Sequence, residues 1–140
     1  MADVIVTEKQ GKNIVRESGW VLDNNMDVAL YLVPLFQDRC YRMASELGSC
    51  PWSICSLDNG AFFLMPYIEE DEEAFFIKTD FYYCYISREG LGIAATLYAC
   101  TMLSHLEGND LSGVFTGLYN SLREYAENRW DASNILAAAV

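Results

Sequence analysis

At 140 residues with 52% hydrophobic side chains, the chain is long enough to bury a core and too short to divide comfortably, so it reads as one domain over 1–140. No run approaches the roughly 18 apolar residues of a membrane helix, and Met1-Ala2-Asp3 lacks the basic flank and apolar run of a signal peptide. A cytoplasmic protein without membrane contact is expected. Twenty acidic against nine basic residues give a formal charge of -11, which repels phosphates and disfavours direct nucleic-acid binding. The same excess serves solubility, or attracts a basic surface such as the DNA channel of another protein.

The first 25 residues alternate short apolar pieces (Val4 and Val6, Ile14 and Val15, Trp20 and Leu22) with turns around Gly11 and Gly19, a pattern of irregular chain or short edge strands. Pro34 then opens a helical pattern in which Phe36, Cys40, Met43 and Leu47 share one stripe, and Gly48 ends it. Two β-rich runs follow, 52–57 and 61–65, joined by Asp58-Asn59-Gly60, where Asn-Gly suits a tight hairpin turn. After Pro66, the residues Glu69, Glu70, Asp71, Glu72 and Glu73 must be solvated, because adjacent like charges repel and cannot be buried.

Strands are predicted over 75–78 and 81–86, with Thr79-Asp80 as the turn and the aromatic residues used for core and sheet packing. Ser87 supplies an N-cap for a helix from 88 to about 106 that is apolar nearly all round and therefore central; Gly108 closes it. Asp110 caps another helix, with Leu111, Val114, Phe115, Leu118, Leu122 and Tyr125 on one face and Asn120, Arg123, Glu124 and Glu127 toward water. Gly113 and Gly117 each weaken that helix by about 1 kcal/mol relative to Ala, which predicts compensation by close packing on another backbone. Asp131 caps a last short helix over 132–139. Strands grouped ahead of helices argue for an α+β fold, a small antiparallel sheet with a β-hairpin packed against several helices.

Chemistry has few places to reside. His105 is the lone histidine, and its neighbour Ser104 points about 100° away on a helix, poorly placed as a nucleophile. A pairing of His105 with Cys40, Cys55 or Cys84 would have to be assembled by folding. The five cysteines (Cys40, Cys50, Cys55, Cys84, Cys100) form no Cys-x-x-Cys pair and suit reduced, mostly buried thiols. Cys50 and Cys55 alone do not make a zinc set, and the acidic run lacks the spacing and central glycine of a calcium loop. Gly90-x-Gly92 lacks the third glycine and the lysine of a phosphate cradle, and Lys78 is the one cation among the aromatic residues of 75–85. No catalytic residue, cofactor or metal is expected. The candidate partner contacts are the hairpin tip, Asp58, Asn59 and Gly60, and the acidic run, Glu69, Glu70, Asp71, Glu72 and Glu73, since contacts concentrate on loops held by rigid elements.

Four landmarks in order carry a resemblance: Trp52 with Ser56-Leu57-Asp58-Asn59-Gly60-Ala61-Phe62-Phe63-Leu64-Met65-Pro66; Ile86-Ser87-Arg88-Glu89-Gly90-Leu91-Gly92-Ile93-Ala94-Ala95-Thr96-Leu97-Tyr98; Ser104-His105-Leu106; and Leu118-Tyr119-Asn120-Ser121-Leu122-Arg123-Glu124-Tyr125-Ala126. The chain resembles the ArdB/KlcA antirestriction family over nearly its whole length, most strongly from Trp52 to Ala126. The resemblance implies a small α+β fold, carriage on plasmids or genomic islands, and relief of type I DNA restriction, with no catalytic residues to carry over. It implies as partner a type I restriction-modification system or an associated host factor, and a monomer or weak homodimer. Cys50-Pro51 stand where the family commonly has a glycine pair, and the acidic run is an extension. Two mechanisms follow. A DNA mimic needs ordered rows of carboxylates matching one charge per about 1.7 Å of duplex, and the acids here cluster in one loop. The other is restriction relief by a route other than mimicry, and an unrelated protein-interaction module is the remaining alternative.

Overall fold

The computed structural model describes residues 6–10, 19–44, 52–57, 61–66, 74–105 and 112–140. It shows the α+β class. Strands β1 (Val6–Gln10), β2 (Trp52–Leu57) and β3 (Phe62–Pro66) form an antiparallel sheet in the order β1-β2-β3, and β4 (Phe75–Lys78) pairs with β5 (Tyr83–Ile86) in a second antiparallel sheet. The helices are α1 (Gly19–Met43), α2 (Arg88–Ser104), α3 (Ser112–Glu127) and α4 (Ala132–Ala138).

The β2–β3 hairpin forms where the alternation of strand and turn residues places it, pairing Trp52 with Pro66 and Ser56 with Phe62. The Leu57 N–H donates to the Ala61 carbonyl at 2.9 Å, which continues the pairing beyond the Ser56–Phe62 pair. Strand β3 is buried along its whole length, because α2 crosses it. Its unpaired edge is not left open: Leu64 N–H donates to Thr96 Oγ1 at 3.0 Å, and Thr96 Oγ1 donates to Gly92 O at 2.8 Å. Gly92 permits this approach, since a Cβ there would fall on the Leu64 carbonyl oxygen and 2.8 Å from Met65 Cα. Gly92 of the Gly-x-Gly pair thus serves helix-to-strand packing.

Helix α2 is central, as its all-round apolar sequence requires, with Leu91, Ile93, Ala94, Ala95, Leu97 and Cys100 fully buried. Ser87 caps it, its Oγ accepting the Gly90 N–H at 2.9 Å. Phe115, Leu122 and Ala126 of α3 pack against this core, and Phe63 stacks on Tyr125 with ring centroids 6.3 Å apart.

Several expectations need correction. The first helix begins at Gly19, so Trp20 and Leu22 are helical and Pro34 lies inside the helix. An interior proline costs about 3 kcal/mol by removing a hydrogen bond and crowding the preceding turn. Burial of Leu32, Phe36, Cys40 and Met43 on one stripe outweighs it, and Pro34 faces solvent. Val114 of α3 is exposed, and nothing described lies within 4 Å of a Cβ at Gly113 or Gly117, so no described backbone packs closely there. Asp131 makes no side-chain cap for α4, because both its oxygens are taken by Arg129. Gly48, Gly108 and Asp110 lie outside the described residues.

Candidate functional site

The residues that carry chemistry are dispersed. His105 is exposed at the end of α2, and its side chain makes no hydrogen bond or ion pair among the described residues. Ser104 Oγ donates to the Thr101 carbonyl at 2.9 Å and so points along its own helix. Burial pushes the Cys100 thiol up to about 12, which keeps it protonated and unreactive near neutral pH. Cys40 and Cys55 are buried, and Cys84 is half-buried. No group of three His, Cys, Asp or Glu residues that could hold a metal occurs among the described residues. No helix among the described residues is long and apolar enough to cross a membrane.

One polar cluster is structural. Arg129, following α3, binds Asp131 through two nitrogens at 2.8 and 3.2 Å and reaches Glu89 on α2 at 2.8 Å. Burial opposes its charge, but the hydrogen bonds to Asp131, Tyr125 and Glu89 outweigh that and hold its pKa above the ordinary arginine value. Ser87 Oγ donates to Asp131 Oδ2 at 3.3 Å, so the cap of α2 and the α3–α4 turn form one network. Each charged group in it is paired with an opposite charge within the cluster.

The acidic run and the hairpin tip lie outside the described residues: Asp58, Asn59, Gly60, Glu69, Glu70, Asp71, Glu72 and Glu73. What the described residues assemble instead is a surface between α1, β4 and α2, an open cavity of about 790 Å³ lined by Arg39, Arg42, Lys78, Asp38, Asp80 and Tyr98 among others. Six cationic side chains belong to the described set, and three of them, Arg39, Arg42 and Lys78, meet here. Arg42 is bound to Asp38 at 2.8 Å on the solvent side. Lys78 is exposed and makes no ion pair among the described residues.

Arg39 is held in place from two sides. Its Nη2 donates to the Ala138 carbonyl and to an oxygen of the α-carboxylate of Val140, the last residue of the sequence, each at 3.1 Å, and its guanidinium carbon lies 3.9 Å from the centre of the Tyr98 ring. Its Nε is buried with no acceptor. Desolvation lowers the Arg39 pKa from its ordinary value, and the group stays cationic.

Along the rim runs the outer face of the β4–β5 hairpin. Cross-strand pairing sets Phe76 opposite Tyr85 and Lys78 opposite Tyr83, and Phe76 touches both tyrosine rings, with centroids 6.2 and 5.4 Å away. Ile77 and Ile86 point inward, while Phe76, Tyr83 and Tyr85 are 45, 71 and 70% exposed and Phe81 in the turn is 86% exposed. These aromatic residues therefore pack on one another across the sheet, as expected, but do not belong to the core. The alternation Tyr83-Cys84-Tyr85-Ile86 was the available signal, since period two puts both tyrosines on one face. Thr79 fixes the turn, its Oγ1 accepting the Phe81 and Tyr82 N–H groups at 3.3 and 3.0 Å.

Comparison with known proteins adds a family and a fold. A family model described as antirestriction protein matches residues 45–139, more than half of the chain. A solved structure reported with the KlcA and ArdB proteins superposes with a TM-score of 0.76 at 20% identity, covering 100% of this chain and 99% of that one. That work describes a novel fold and antirestriction activity against type I DNA restriction systems in vivo but not in vitro. At this identity the likeness establishes the shared fold. Comparison with curated protein sequences returned no significant match.

Proposed function

Because the chain belongs to the antirestriction protein family, we propose that it relieves type I DNA restriction of incoming DNA inside the cell, as a single non-catalytic domain that contacts another protein. The observation that carries this reading is the family match across β2 to α4, together with a fold shared end to end with a protein described as active in vivo but not in vitro. The partner is a component of the type I restriction-modification system or a host factor that the system needs, and the site of action is the cytoplasm.

A second mechanism, in which carboxylates imitate DNA phosphates, draws on the charge of -11 alone. Mimicry needs long ordered rows of acids. On the described surface, the cavity between α1, β4 and α2 mixes Arg39, Arg42 and Lys78 with Asp38 and Asp80, the exposed acids Asp38 and Glu127 are each engaged by an arginine, and Asp80 and Glu124 do not form a row with them. Relief by a route other than mimicry fits that distribution better.

Phage plating tests the reading. Unmodified phage plated on a host with an active type I system should recover efficiency when the protein is expressed, with no change in a host lacking the system. Unchanged plating in the restricting host, with the protein soluble and expressed, would overturn it. The acidic run is tested in the same host by converting Glu69, Glu70, Asp71, Glu72 and Glu73 to Gln or Asn. Loss of relief in a folded variant would support the run as a contact, and full relief would remove it.

A further inference from the structure

We propose that the outer face of the β4–β5 hairpin is the interface of a weak two-fold homodimer, in which Phe76, Phe81, Tyr83 and Tyr85 pack on the same residues of a second copy of the chain. The proposal goes beyond the reading above and does not rest on it.

Composition of the face gives the first argument. Side chains alternate along a strand, so the paired positions of β4 and β5 send Ile77 and Ile86 to the core and Phe76, Lys78, Tyr83 and Tyr85 to solvent. Those four outward positions hold no carboxylate, in a chain with 20 acidic residues. A second copy carries the same charge of -11 and is repelled by acidic surface, so it approaches at least cost where acids are absent. Lys78 stands at the turn end of the ladder, opposite Tyr83, where an ammonium stays in water while its aliphatic stem covers apolar surface.

Area gives the second. Phe76, Phe81, Tyr83 and Tyr85 are 45, 86, 71 and 70% exposed. At roughly 200 Å² for a whole aromatic side chain, they leave about 540 Å² open, near the upper end of the single patches that monomers expose. Two copies meeting on this face would cover about 1,100 Å², which clears the roughly 1,000 Å² expected of a specific interface and falls short of the ~1,600 Å² of a standard one. The dimer is therefore weak, with a Kd on the order of 10–100 µM.

Geometry gives the third. Phe76 touches Tyr83 in a tilted contact and Tyr85 edge-on, so the rings form one continuous surface and not scattered side chains. Ring edges and faces are complementary to one another, which lets a single patch pair with itself about a two-fold axis. The face is also set before the copies meet: Thr79 fixes the turn, and Tyr82 Oη donates to Asn134 Oδ1 on α4 at 2.5 Å. Little conformational entropy is lost on pairing, since tyrosine has only two side-chain torsions to fix.

Sedimentation equilibrium of the full chain from about 5 to 500 µM, a span that brackets the Kd, tests the proposal. A monomer–dimer equilibrium is expected, and isotope-filtered NOEs between labelled and unlabelled copies should connect the rings of Phe76, Tyr83 and Tyr85. The NOEs use the native chain and stand apart from any variant. The double variant Tyr83→Ser, Tyr85→Ser should weaken association at least about tenfold with an unchanged far-UV spectrum, because both side chains are exposed. Trp130→Ser, at an 85% exposed residue outside the hairpin, should leave association unchanged. Raising sodium chloride from about 0.05 to 0.5 M should tighten the dimer severalfold, by screening the repulsion between two copies of charge -11. A chain monomeric across the whole range, a dimer that survives the tyrosine variant or is lost with Trp130→Ser, or one that weakens as salt rises, would overturn the proposal. Phage plating is scored separately: a chain that dimerises through this face but fails to rescue plating keeps the interface and loses the proposed function.

Discussion

Replacing Gly92 with alanine separates packing from helix propensity, because the two act in opposite directions. In an unhindered helix interior the change stabilises by about 1 kcal/mol. At Gly92 the new methyl would sit on the Leu64 carbonyl oxygen, 2.8 Å from Met65 Cα and 2.9 Å from its Cβ. These are mostly backbone atoms of β3, a strand held on one side by the ladder to β2 and on the other by the Thr96 bond to Leu64. Neither can yield cheaply, so overpacking should cost about 3 kcal/mol, the upper part of its usual range. The net expectation is destabilisation by about 2 kcal/mol, read as a lower urea midpoint with an unchanged slope, or as a Tm lower by roughly 6 °C for a chain of this size. Gly113→Ala and Gly117→Ala, where nothing described lies within 4 Å, should instead raise stability by up to about 1 kcal/mol each. If Gly92→Ala melted at or above the wild type, the close crossing of α2 over β3 would be wrong.

Other expected outcomes follow from single contacts. Thr96→Val keeps shape but leaves the Leu64 N–H without its acceptor, and should cost about 1–3 kcal/mol in urea unfolding. Arg129→Met leaves Asp131, 5% exposed, without its two ion-pair bonds and should cost about 3 kcal/mol; the double variant with Asp131→Asn should recover part of that in a thermodynamic cycle. The Cys100 thiol is pushed from 9.0 up to about 12 in the folded chain. The folded state therefore keeps a proton that the unfolded chain loses above pH 9, so stability present below pH 9 falls as pH rises toward 12. Cys100→Ala should remove that share of the alkaline slope, and native Cys100 should resist thiol reagents at pH 7.

Legibility of the fold tracked how local each signal was. The β2–β3 hairpin, the bounds of β4 and the Ser87 cap are written in adjacent residues, where turn chemistry and side-chain alternation suffice, and the structure shows all three. The sequence upstream of Pro34 does not read as helix because proline is a strong local breaker, and only the burial of Leu32 and Phe36 against other elements overrides it. Gly90-x-Gly92 is visible as an oddity, but the use of Gly92 depends on β3, which lies more than twenty residues away in sequence. The cavity was not legible at all. Arg39, Lys78 and Tyr98 come from three separate elements, each with an innocuous local pattern, and only the packing of α1 and α2 beside β4 brings them together. The exposure of the aromatic strand residues is hidden in composition, which does not say which face of a two-stranded sheet is covered.

The most direct measurement follows one unmodified DNA in two settings, using the same preparation of the protein. Restriction is scored in cells carrying a type I system, and cleavage by the purified type I enzyme is scored at a series of protein and salt concentrations. The account predicts relief in cells with little or no inhibition of the purified enzyme at any salt concentration, because the protein acts through a partner contact and not by occupying the DNA channel. Strong inhibition of the purified enzyme that competes with DNA and fades steeply with salt would contradict it and assign the function to phosphate mimicry.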